Sequence, residues 1–340
     1  MKYEYELYKA ETPEEIKNRL NNYGVAIVPS VLDSEECNML YNGLWNDIEY
    51  ITQDFDIPIK QNDSSTWREW SKLYPKHSML LQNYQIGHTQ SVWDVRQNSK
   101  VVNVFSDIWN SKPDDMLCSF DGISMHMPPE KTRKGWFRNN WLHTDQSYTR
   151  PNFECIQGWV TAKEIREKDG TLTFLKNSHK YHSEVADKFN IQDKQDWYKI
   201  DDDMYNYYTE DLGCEQECVK CPAGSLVLWD SRTIHCGREP MKDRTIENTR
   251  CIVYVCMIPR NKATQASIKK KQKAFNDLRM TTHYPHKPKL FPINPRTYGG
   301  PLPKVRPIKP PHLTNLGKKL AGFTTNTDHL ISLNINICKS

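Results

Sequence analysis

The feature that most constrains the fold is a succession of short β-type segments in the middle of the chain. Gly, Pro and Asp-Gly turns separate these segments, which span residues 118–127, 154–160, 171–174, 225–229 and 251–258. Short strands with such punctuation are typical of an antiparallel sandwich or barrel. The 340 residues are enough to bury the core of such a fold. We therefore expect a mainly β protein with flanking helices.

Helical signals precede the β segments. Thr12, Pro13 and two acidic residues open a helical pattern over residues 12–20, and Asp33 or Ser34 caps a second helix. Between the two helices, the apolar run YGVAIVP predicts a buried strand. These elements predict an N-terminal layer that supports the β core.

The C-terminal part of the chain has a different composition. Residues 263–278 predict a basic helix, and nine of the twenty prolines then lie between residues 285 and 311, where they interrupt regular structure. The sequence therefore predicts one domain over residues 1–260, with its β core at about 117–258. A basic, Pro-rich region over residues 261–340 is expected to pack on that core.

Charge is distributed unevenly along the chain. Residues 241–340 contain 19 Lys and Arg against 4 Asp and Glu, whereas residues 1–240 contain 27 against 38. A basic end on an acidic body indicates an anionic partner or substrate. The alternative is that the cationic segment neutralises the acidic body on which it packs, and the sequence leaves both interpretations open.

Neither a membrane span nor a secretory signal is predicted. No segment approaches the roughly 20 apolar residues of a membrane-spanning helix, and the N-terminus, MKYEYELYKAETPEE, lacks an apolar signal core. We therefore expect an intracellular, cytoplasmic protein whose ten cysteines are reduced thiols.

The segment WLHTDQS, residues 141–147, contains the strongest chemical signal. His143 and Asp145 are two residues apart, so on a strand both side chains point to the same face. His235 follows at the end of the strand-like run SLVLWDSRTIH. Two histidines and one carboxylate leave metal positions open for cosubstrate and oxygen, as in non-haem iron(II) enzymes. Catalytic zinc can use the same ligands, and an H-x-D pair can also be a simple hydrogen-bonded pair.

The order of four segments gives this pair its context. H-T-D is followed by DGTLTFLKNSHK, then by AGSLVLWDSRTIH, and then by a strand that Arg250 leads. This order resembles the phytanoyl-CoA dioxygenase family over roughly residues 117–258, and YGVAIVP with its following helix resembles the start of that family. Residues 175–178 read L-K-N-S where the family often has P-G-S, a departure that concerns a turn and no ligand.

The resemblance implies a double-stranded β-helix barrel, of the jelly-roll or cupin-like type, in an oxidoreductase that uses iron(II), 2-oxoglutarate and O2. It implies that His143, Asp145 and His235 hold the iron, and that succinate and CO2 are released. Because Asp145 is a carboxylate and not a small residue, hydroxylation is favoured over halogenation. Arg250 would anchor 2-oxoglutarate through two parallel hydrogen bonds. The spacing from His235 is longer than usual, so Arg244 is the alternative anchor.

Three further polar residues are weaker candidates for cofactor contacts. Gln146 follows the predicted aspartate ligand, Gln157 lies on a strand expected to face inward, and Thr173 shares a strand face with Thr171. Each side chain could hydrogen-bond the cosubstrate or a metal-bound water. Ordinary hydrogen bonding within the fold is the alternative for each of them.

Segments 60–95 and 131–140 are expected to form lids beside the metal ligands. The second segment is basic and offers contacts to an anionic substrate through Lys131, Arg133, Lys134 and Arg138. A basic surface loop with no ligand would have the same composition.

Two other clusters have chemical interpretations. Cys214, Cys218 and Cys221 have the spacing C-x3-C-x2-C and could hold a structural zinc together with Cys236, although unligated thiols are the simpler interpretation. The run KKKQK at residues 269–273 could bind nucleic acid phosphates, or it could be a solvated helix face.

Three functional hypotheses follow. The first is a 2-oxoglutarate-dependent hydroxylase of a small, anionic molecule, which the family resemblance favours. The second is an oxygenase that acts on protein or nucleic acid through the basic C-terminal region. The third is a catalytically silent barrel that binds a ligand. The presence of all four residues of the expected site, His143, Asp145, His235 and Arg250, argues against a silent barrel.

Overall fold

Two antiparallel sheets face each other in the computed structural model, which describes residues 1–324. The strands in this part of the chain are β1 Lys2–Glu4, β2 Val25–Val28, β3 Leu80–Leu81, β4 Met116–Cys118, β5 Ile123–His126, β6 His143–Thr144, β7 Ile156–Thr161, β8 Thr171–Leu175, β9 Tyr198–Lys199, β10 Gln216–Val219, β11 Leu226–Asp230, β12 His235–Arg238 and β13 Arg250–Pro259.

Helices precede, interrupt and follow the strands. The α-helices within residues 1–324 are α1 Pro13–Tyr23, α2 Ser34–Ile51, α3 Gln90–Arg96, α4 Ser99–Trp109, α5 Pro129–Thr132, α6 His182–Lys188, α7 Asp202–Asn206, α8 Gln265–Asn276 and α9 Asn315–Leu320. Short 3₁₀ helices lie at Ser64–Leu73, Ile86–His88, Pro113–Asp115, Ser178–Tyr181 and Arg260–Lys262, and a π-helical turn lies at Tyr207–Asp211.

The strand order defines a double-stranded β-helix. The major sheet has the order β2-β11-β7-β13-β5-β3, with β4 beside β13, and the minor sheet has the order β1-β10-β8-β12-β6-β9. All strand pairs are antiparallel except β1 with β10. Strands that follow each other in the chain often lie in opposite sheets, as in a jelly roll. The predicted fold class is confirmed.

Successive side chains along a strand of the major sheet point alternately into the barrel interior and to the face that the helices cover. On β11, Val227 and Trp229 pack in the interior, whereas Leu226 and Leu228 pack in the cluster that the helices cover. This helix-side cluster includes Trp45 of α2 and is the larger of the two. Burying a side chain such as Leu228 stabilises the fold by about 2 kcal/mol, so this face fixes the position of the major sheet.

The N-terminal predictions agree with the structure. Thr12 caps α1 and forms a capping box with Glu15, and Asp33 does the same for α2 with Glu36. Each box satisfies two backbone donors at the start of its helix. The predicted strand between the helices is β2, which pairs with β11 in the major sheet.

The predicted strand over residues 118–127 is wrong as a single element, because it is divided into β4 and β5. At Gly122 a Cβ atom would lie 2.1 Å from the Leu81 carbonyl oxygen, so the chain passes too close to a neighbouring segment for a regular strand. The adjacent Asp121 carbonyl accepts a hydrogen bond from the buried Arg96 guanidinium. Backbone polar groups there bond outside the sheet, which ends the ladder.

The C-terminal region packs against the helix-covered side of the barrel. Phe275 of α8, Ile308 and Phe323 are buried in the same cluster as the N-terminal helices. The predicted basic helix corresponds to α8, although its Lys271 side chain is only 1% exposed. A domain division at residue 260 stays a prediction, and part of the predicted C-terminal region, residues 325–340, lies outside the described residues. None of the helices within residues 1–324 is long and apolar enough to cross a membrane.

Candidate metal centre

Three side chains converge inside one end of the barrel. His143 lies on β6, Asp145 follows it by two residues, and His235 is the first residue of β12. Because His143 and His235 are register partners, the sheet places the two imidazoles side by side. The ligand atoms of all three residues lie within 4.8 Å of one another, and no other such group occurs among the described residues.

Backbone carbonyls orient both imidazoles. Nδ1 of His143 lies 3.1 Å from the Trp141 carbonyl oxygen, and Nδ1 of His235 lies 2.8 Å from that of Thr233. A carbonyl oxygen only accepts hydrogen bonds, so Nδ1 carries the proton and the Nε2 lone pair is available to a metal. The Nε2 atoms lie 3.6 and 3.4 Å from Asp145 Oδ2. Burial lowers the pKa of His235, which favours the neutral form that binds metals.

The Asp145 loop is held by contacts from three directions. Gln157 Nε2 donates to Asp145 Oδ2 at 3.0 Å, and the backbone N–H of Asp145 donates to the Ser231 carbonyl. The Asp145 carbonyl accepts from the Tyr284 hydroxyl and lies 3.2 Å from His283 Nε2. Such contacts fix the direction in which a ligating carboxylate points.

The charge of Asp145 is also set by its surroundings. Burial alone would raise the pKa of the Asp145 carboxyl, but the adjacent His143 and His283 imidazoles hold it well below its ordinary value. The side chain is therefore a carboxylate at neutral pH. Two neutral imidazoles and one buried carboxylate fit iron(II) in a three-ligand site with open positions, and this donor set also fits zinc.

Arg250 lies in the barrel interior, as expected from its place at the start of β13. Its Nε donates to the Ser124 hydroxyl at 2.8 Å, and its guanidinium carbon lies 5.7 Å from the centroid of Trp159. Its Nη1 has no hydrogen-bond partner, and no carboxylate within residues 1–324 forms an ion pair with it. A buried guanidinium with a free donor fits the distal carboxylate of 2-oxoglutarate.

Arg244, the alternative anchor, has its donors occupied. It donates to both oxygens of Glu130 at 2.7 and 2.6 Å, and to Asp169 at 3.0 Å. The Arg244 side chain is 2% exposed, so these two carboxylates satisfy a buried charge. The surroundings therefore favour Arg250 as the residue that could bind an incoming dicarboxylate.

The three weaker predictions of cofactor contacts, at Gln146, Gln157 and Thr173, have different outcomes in the structure. Gln157 reaches Asp145, whereas the Gln146 amide nitrogen donates to the carbonyls of Arg150 and Asn152, which leaves only its oxygen unpartnered. The structure does not bring Thr173 to the site. Its neighbour Phe174 is the register partner of His235 and packs in the interior, so Thr173 points to the opposite face.

The Thr173 hydroxyl is also engaged elsewhere. It donates to the Glu217 carbonyl at 2.9 Å and accepts from Gln216 Nε2 at 3.1 Å. The prediction of a cofactor contact at Thr173 is therefore corrected, because the strand face that it shares with Thr171 lies outside the barrel interior.

The cysteine cluster does not form the predicted zinc site, whereas nucleic acid binding by the lysine run stays a prediction. Cys214 and Cys221 pack in different apolar clusters, and no group of thiols among the described residues has metal-ligand geometry. The basic run at 269–273 is not a uniformly solvated face, because Lys271 is buried and donates to the Cys118 carbonyl.

Some residues near the metal ligands had no local sequence signal. The His77 ring stacks on Trp141 with centroids 3.8 Å apart, and Trp141 stacks on His143 at 4.8 Å. Trp197, 51% exposed, lies 5.6 Å from the His143 ring. These contacts join segments far apart in the chain, so spacing alone could not reveal them.

The fold and the ligand set define a class of protein, the double-stranded β-helix with a two-histidine, one-carboxylate centre. The family model for phytanoyl-CoA dioxygenase (PhyH) matches residues 20–240. The chain therefore belongs to the phytanoyl-CoA dioxygenase family, as its motif order indicated. It is a non-haem oxygenase that depends on iron(II) and 2-oxoglutarate and uses O2.

Individual relatives agree with this assignment. The chain is 30% identical over 248 residues to Ava biosynthesis cluster protein O of Aspergillus versicolor, covering 71% of this chain and 77% of that protein. Among solved structures, the putative oxidoreductase from Salmonella typhimurium LT2 has a TM-score of 0.53 at 13% identity, covering 91% and 82% of the two chains. GIG2 from Candida albicans has a TM-score of 0.50 at 12% identity, covering 78% and 68%. The two structures support the fold.

Proposed function

We propose that the protein is a hydroxylase of a small, anionic molecule, in which His143, Asp145 and His235 hold iron(II) and Arg250 anchors 2-oxoglutarate. One observation carries the proposal. The barrel interior contains a convergent metal-ligand set and a buried arginine without a carboxylate partner. An unpaired buried charge is costly, so a fold that keeps one beside a metal site is organised for an anion.

Each residue has a defined part in this proposal. When bound, iron(II) and 2-oxoglutarate supply the two-electron oxidation by O2 that yields succinate, CO2 and a hydroxylated product. Arg250 directs the cosubstrate by holding its distal carboxylate with a planar fork. Gln157 keeps Asp145 Oδ2 directed at the metal position through its 3.0 Å hydrogen bond. The backbone carbonyls at Trp141 and Thr233 keep the two Nε2 lone pairs in place.

The aspartate supports hydroxylation over halogenation. A halogenating enzyme of this type needs a vacant ligand position for chloride, and Asp145 fills that position with a carboxylate. The carboxylate accepts a hydrogen bond from Gln157, and the Asp145 backbone N–H donates to the Ser231 carbonyl, so rotation of the carboxylate away from the metal position would break the Gln157 contact. These contacts support a transfer of oxygen to the substrate.

The test is turnover of 2-oxoglutarate by the anaerobically purified protein. After addition of iron(II) and 2-oxoglutarate, air is admitted and succinate is quantified by NMR. We expect slow succinate formation in the absence of substrate, and its loss in Asp145→Ala because the metal loses its only anionic protein ligand. Asp243→Ala, at an exposed surface pair with Lys168, is the matched control and should retain activity.

A spectroscopic measurement shows whether an absence of succinate reflects slow turnover or an incorrect assignment of the metal site. The visible charge-transfer band of an iron(II)–2-oxoglutarate complex should appear in the wild type and in Asp243→Ala. Absence of both the band and succinate in the wild type would contradict the proposed function. In that case a zinc site or a catalytically silent barrel that binds a ligand would be the better interpretation of the three side chains.

A further inference from the structure

A large cleft is built from three distant parts of the chain. It has a volume of about 790 Å³ and is lined by the predicted lid segments, 60–95 and 131–140, and by residues 291–298 of the Pro-rich region. Ligand pockets for small molecules have volumes of about 300–1,000 Å³. The cleft is thus large enough for a molecule of that size.

Two contacts connect the lining of the cleft to residues of the metal centre and of the barrel interior. His77 lines the cleft and stacks on Trp141, which in turn stacks on His143. On the other side, His126 lines the cleft and is the register partner of Arg250. The lining residue His77 is therefore separated from the metal ligand His143 by one ring, and the lining residue His126 is the strand neighbour of Arg250.

The charged lysine and arginine side chains that line the cleft make it positively charged. Four cationic side chains lie around it, and its lining contains no aspartate or glutamate; the four are Arg68, Lys76, Lys134 and Arg296. None of them forms an ion pair within residues 1–324, whereas Lys60, Lys131 and Lys319, for example, pair with carboxylates outside the cleft. Cations gathered around a concave surface raise the local concentration of anions.

Aromatic rings accompany these cations. Lys76 Nζ lies 5.7 Å from the centroid of Phe291, and the Arg296 guanidinium lies 5.4 Å from that of Tyr298. The partly exposed rings of Trp67 and Phe291 also line the cleft and give it an apolar surface. Such a surface holds a flat, apolar group while the cations hold an anionic one.

We infer that this cleft binds the substrate, and that the substrate is an amphiphilic small molecule with an anionic group and a flat apolar part. The inference rests on the proposed function, because it treats the cleft as the approach to the metal centre. It also assigns a role to the Pro-rich region, which supplies one wall of the cleft through Phe291 and Arg296. A solvated charge patch would not need a 790 Å³ concavity with aromatic rings in its lining.

The charge requirement is tested with two fluorescent probes that have the same rings. The anionic probe is 8-anilino-1-naphthalenesulfonate, and the neutral one is N-phenyl-1-naphthylamine, which lacks the sulfonate. In the full-length protein, Lys134→Gln with Arg296→Gln should weaken binding of the sulfonate about tenfold, since hydrogen bonds to charged groups contribute this much. Binding of the neutral probe should not change.

Matched variants separate charge from structure. Lys242→Gln with Lys269→Gln removes the same charge at exposed positions outside the cleft and should not alter binding of either probe. Lys134→Arg with Arg296→Lys keeps the charge and should retain sulfonate binding. Equal sulfonate binding in all variants, or equal weakening of both probes by the glutamine pair, would overturn the inference.

The position of the probe relative to the metal is tested by NMR. With Mn(II) in place of iron, the sulfonate probe's proton lines should broaden, and Asp145→Ala should remove the broadening. Charge-dependent binding without broadening would overturn the assignment of the cleft as the approach to the metal. The iron(II)–2-oxoglutarate band of the wild type is measured separately, so a failure of the proposed function is distinguishable from a failure at the cleft.

Discussion

Two buried arginines, Arg244 at the rim of the barrel and Arg250 in its interior, differ in the partners that surround their guanidinium groups. At the rim, two carboxylates, Glu130 and Asp169, surround the guanidinium. In the interior, the guanidinium contacts the Ser124 hydroxyl, the Tyr254 side chain and the Trp159 ring, and its Nη1 has no hydrogen-bond partner among the described residues. The two residues lie six positions apart in the chain.

The difference distinguishes a structural charge from a functional one. Burying a charge costs several kcal/mol unless partners offset the loss of hydration. At the rim the protein supplies the partners, so Arg244 contributes to the fold. In the interior the described residues supply neutral partners to Arg250 but no ion-paired carboxylate, so an incoming anion can recover a further part of the cost. The variants below test this distinction, from the largest expected effect to the smallest.

Arg250→Ala should have the largest effect, on affinity for 2-oxoglutarate. Loss of one partner of a buried charged hydrogen-bonded pair costs about 2–5 kcal/mol, so we expect the dissociation constant to rise about 30-fold or more. The measurement is a titration of the anaerobic iron(II) protein, followed by its charge-transfer band. Arg250→Lys should recover part of the affinity, because it keeps the charge without the planar fork. A loss of affinity in Arg244→Ala instead would reverse the assignment of the anchor.

Arg244→Ala should lower the free energy of unfolding by about 3 kcal/mol, because it leaves two carboxylates facing a buried gap. Urea denaturation of the metal-free protein measures this effect. Arg166→Ala is the matched control, since Arg166 and Glu164 form an exposed pair that contributes less than about 1 kcal/mol. If both variants were equally stable, the rim cluster would not be structural, and the contrast with Arg250 would be lost.

The sequence was sufficient to predict features that depend on local pattern. The strand series, the capping boxes at Thr12 and Asp33, and the approach of His143 to Asp145 all follow from short-range periodicity. The position of Arg250 at the start of a strand also followed, because strand ends can be recognised from neighbouring residues. A family resemblance over several ordered motifs then identified the fold.

The sequence could not predict which face of a strand enters the barrel or which face of a helix packs against the core. Period-two alternation shows that Thr171 and Thr173 share a face, but the face that enters the barrel is decided by pairing with β12. Lys271 belongs to a run of lysines that looks solvated, yet its position on α8 places it against the core. The stack of His77 on Trp141 requires contacts between segments about 60 residues apart in sequence, for which no periodic signal exists.

Gln157→Leu should weaken iron(II) binding by about 10- to 100-fold, the usual effect of removing a group that orients a metal ligand. Without the amide, Asp145 Oδ2 loses the 3.0 Å hydrogen bond that directs it. Competition with a coloured chelator measures the affinity, and Gln192→Leu at an exposed position is the control. An unchanged iron affinity in Gln157→Leu would show that the backbone contacts of Asp145 are sufficient.

Lys271 is another buried cation, and it sharpens the comparison because no carboxylate within residues 1–324 forms an ion pair with it. Its Nζ donates to the Cys118 carbonyl and lies 3.7 Å from the centroid of Phe120. Burial lowers the pKa of Lys271 to about 7, from an ordinary value of 10.5. Between these values the unfolded chain binds more protons than the folded protein, so the free energy of unfolding rises with pH in this window.

The variant Lys271→Met removes this titration while keeping a similar volume. Relative to the variant, the wild type should gain about 2 kcal/mol of stability between about pH 7 and pH 9, and below pH 7 the full cost of burying the charge remains. Urea denaturation at the two pH values measures the difference. Thiols and tyrosines titrate in both proteins, so their contributions to the free energy of unfolding cancel in the comparison. Parallel pH dependence would mean that the ammonium stays charged among the Cys118 carbonyl and the Phe120 ring. A buried cation without a carboxylate would then not be sufficient to indicate an anion site, and the assignment of Arg250 would depend on its titration with 2-oxoglutarate alone.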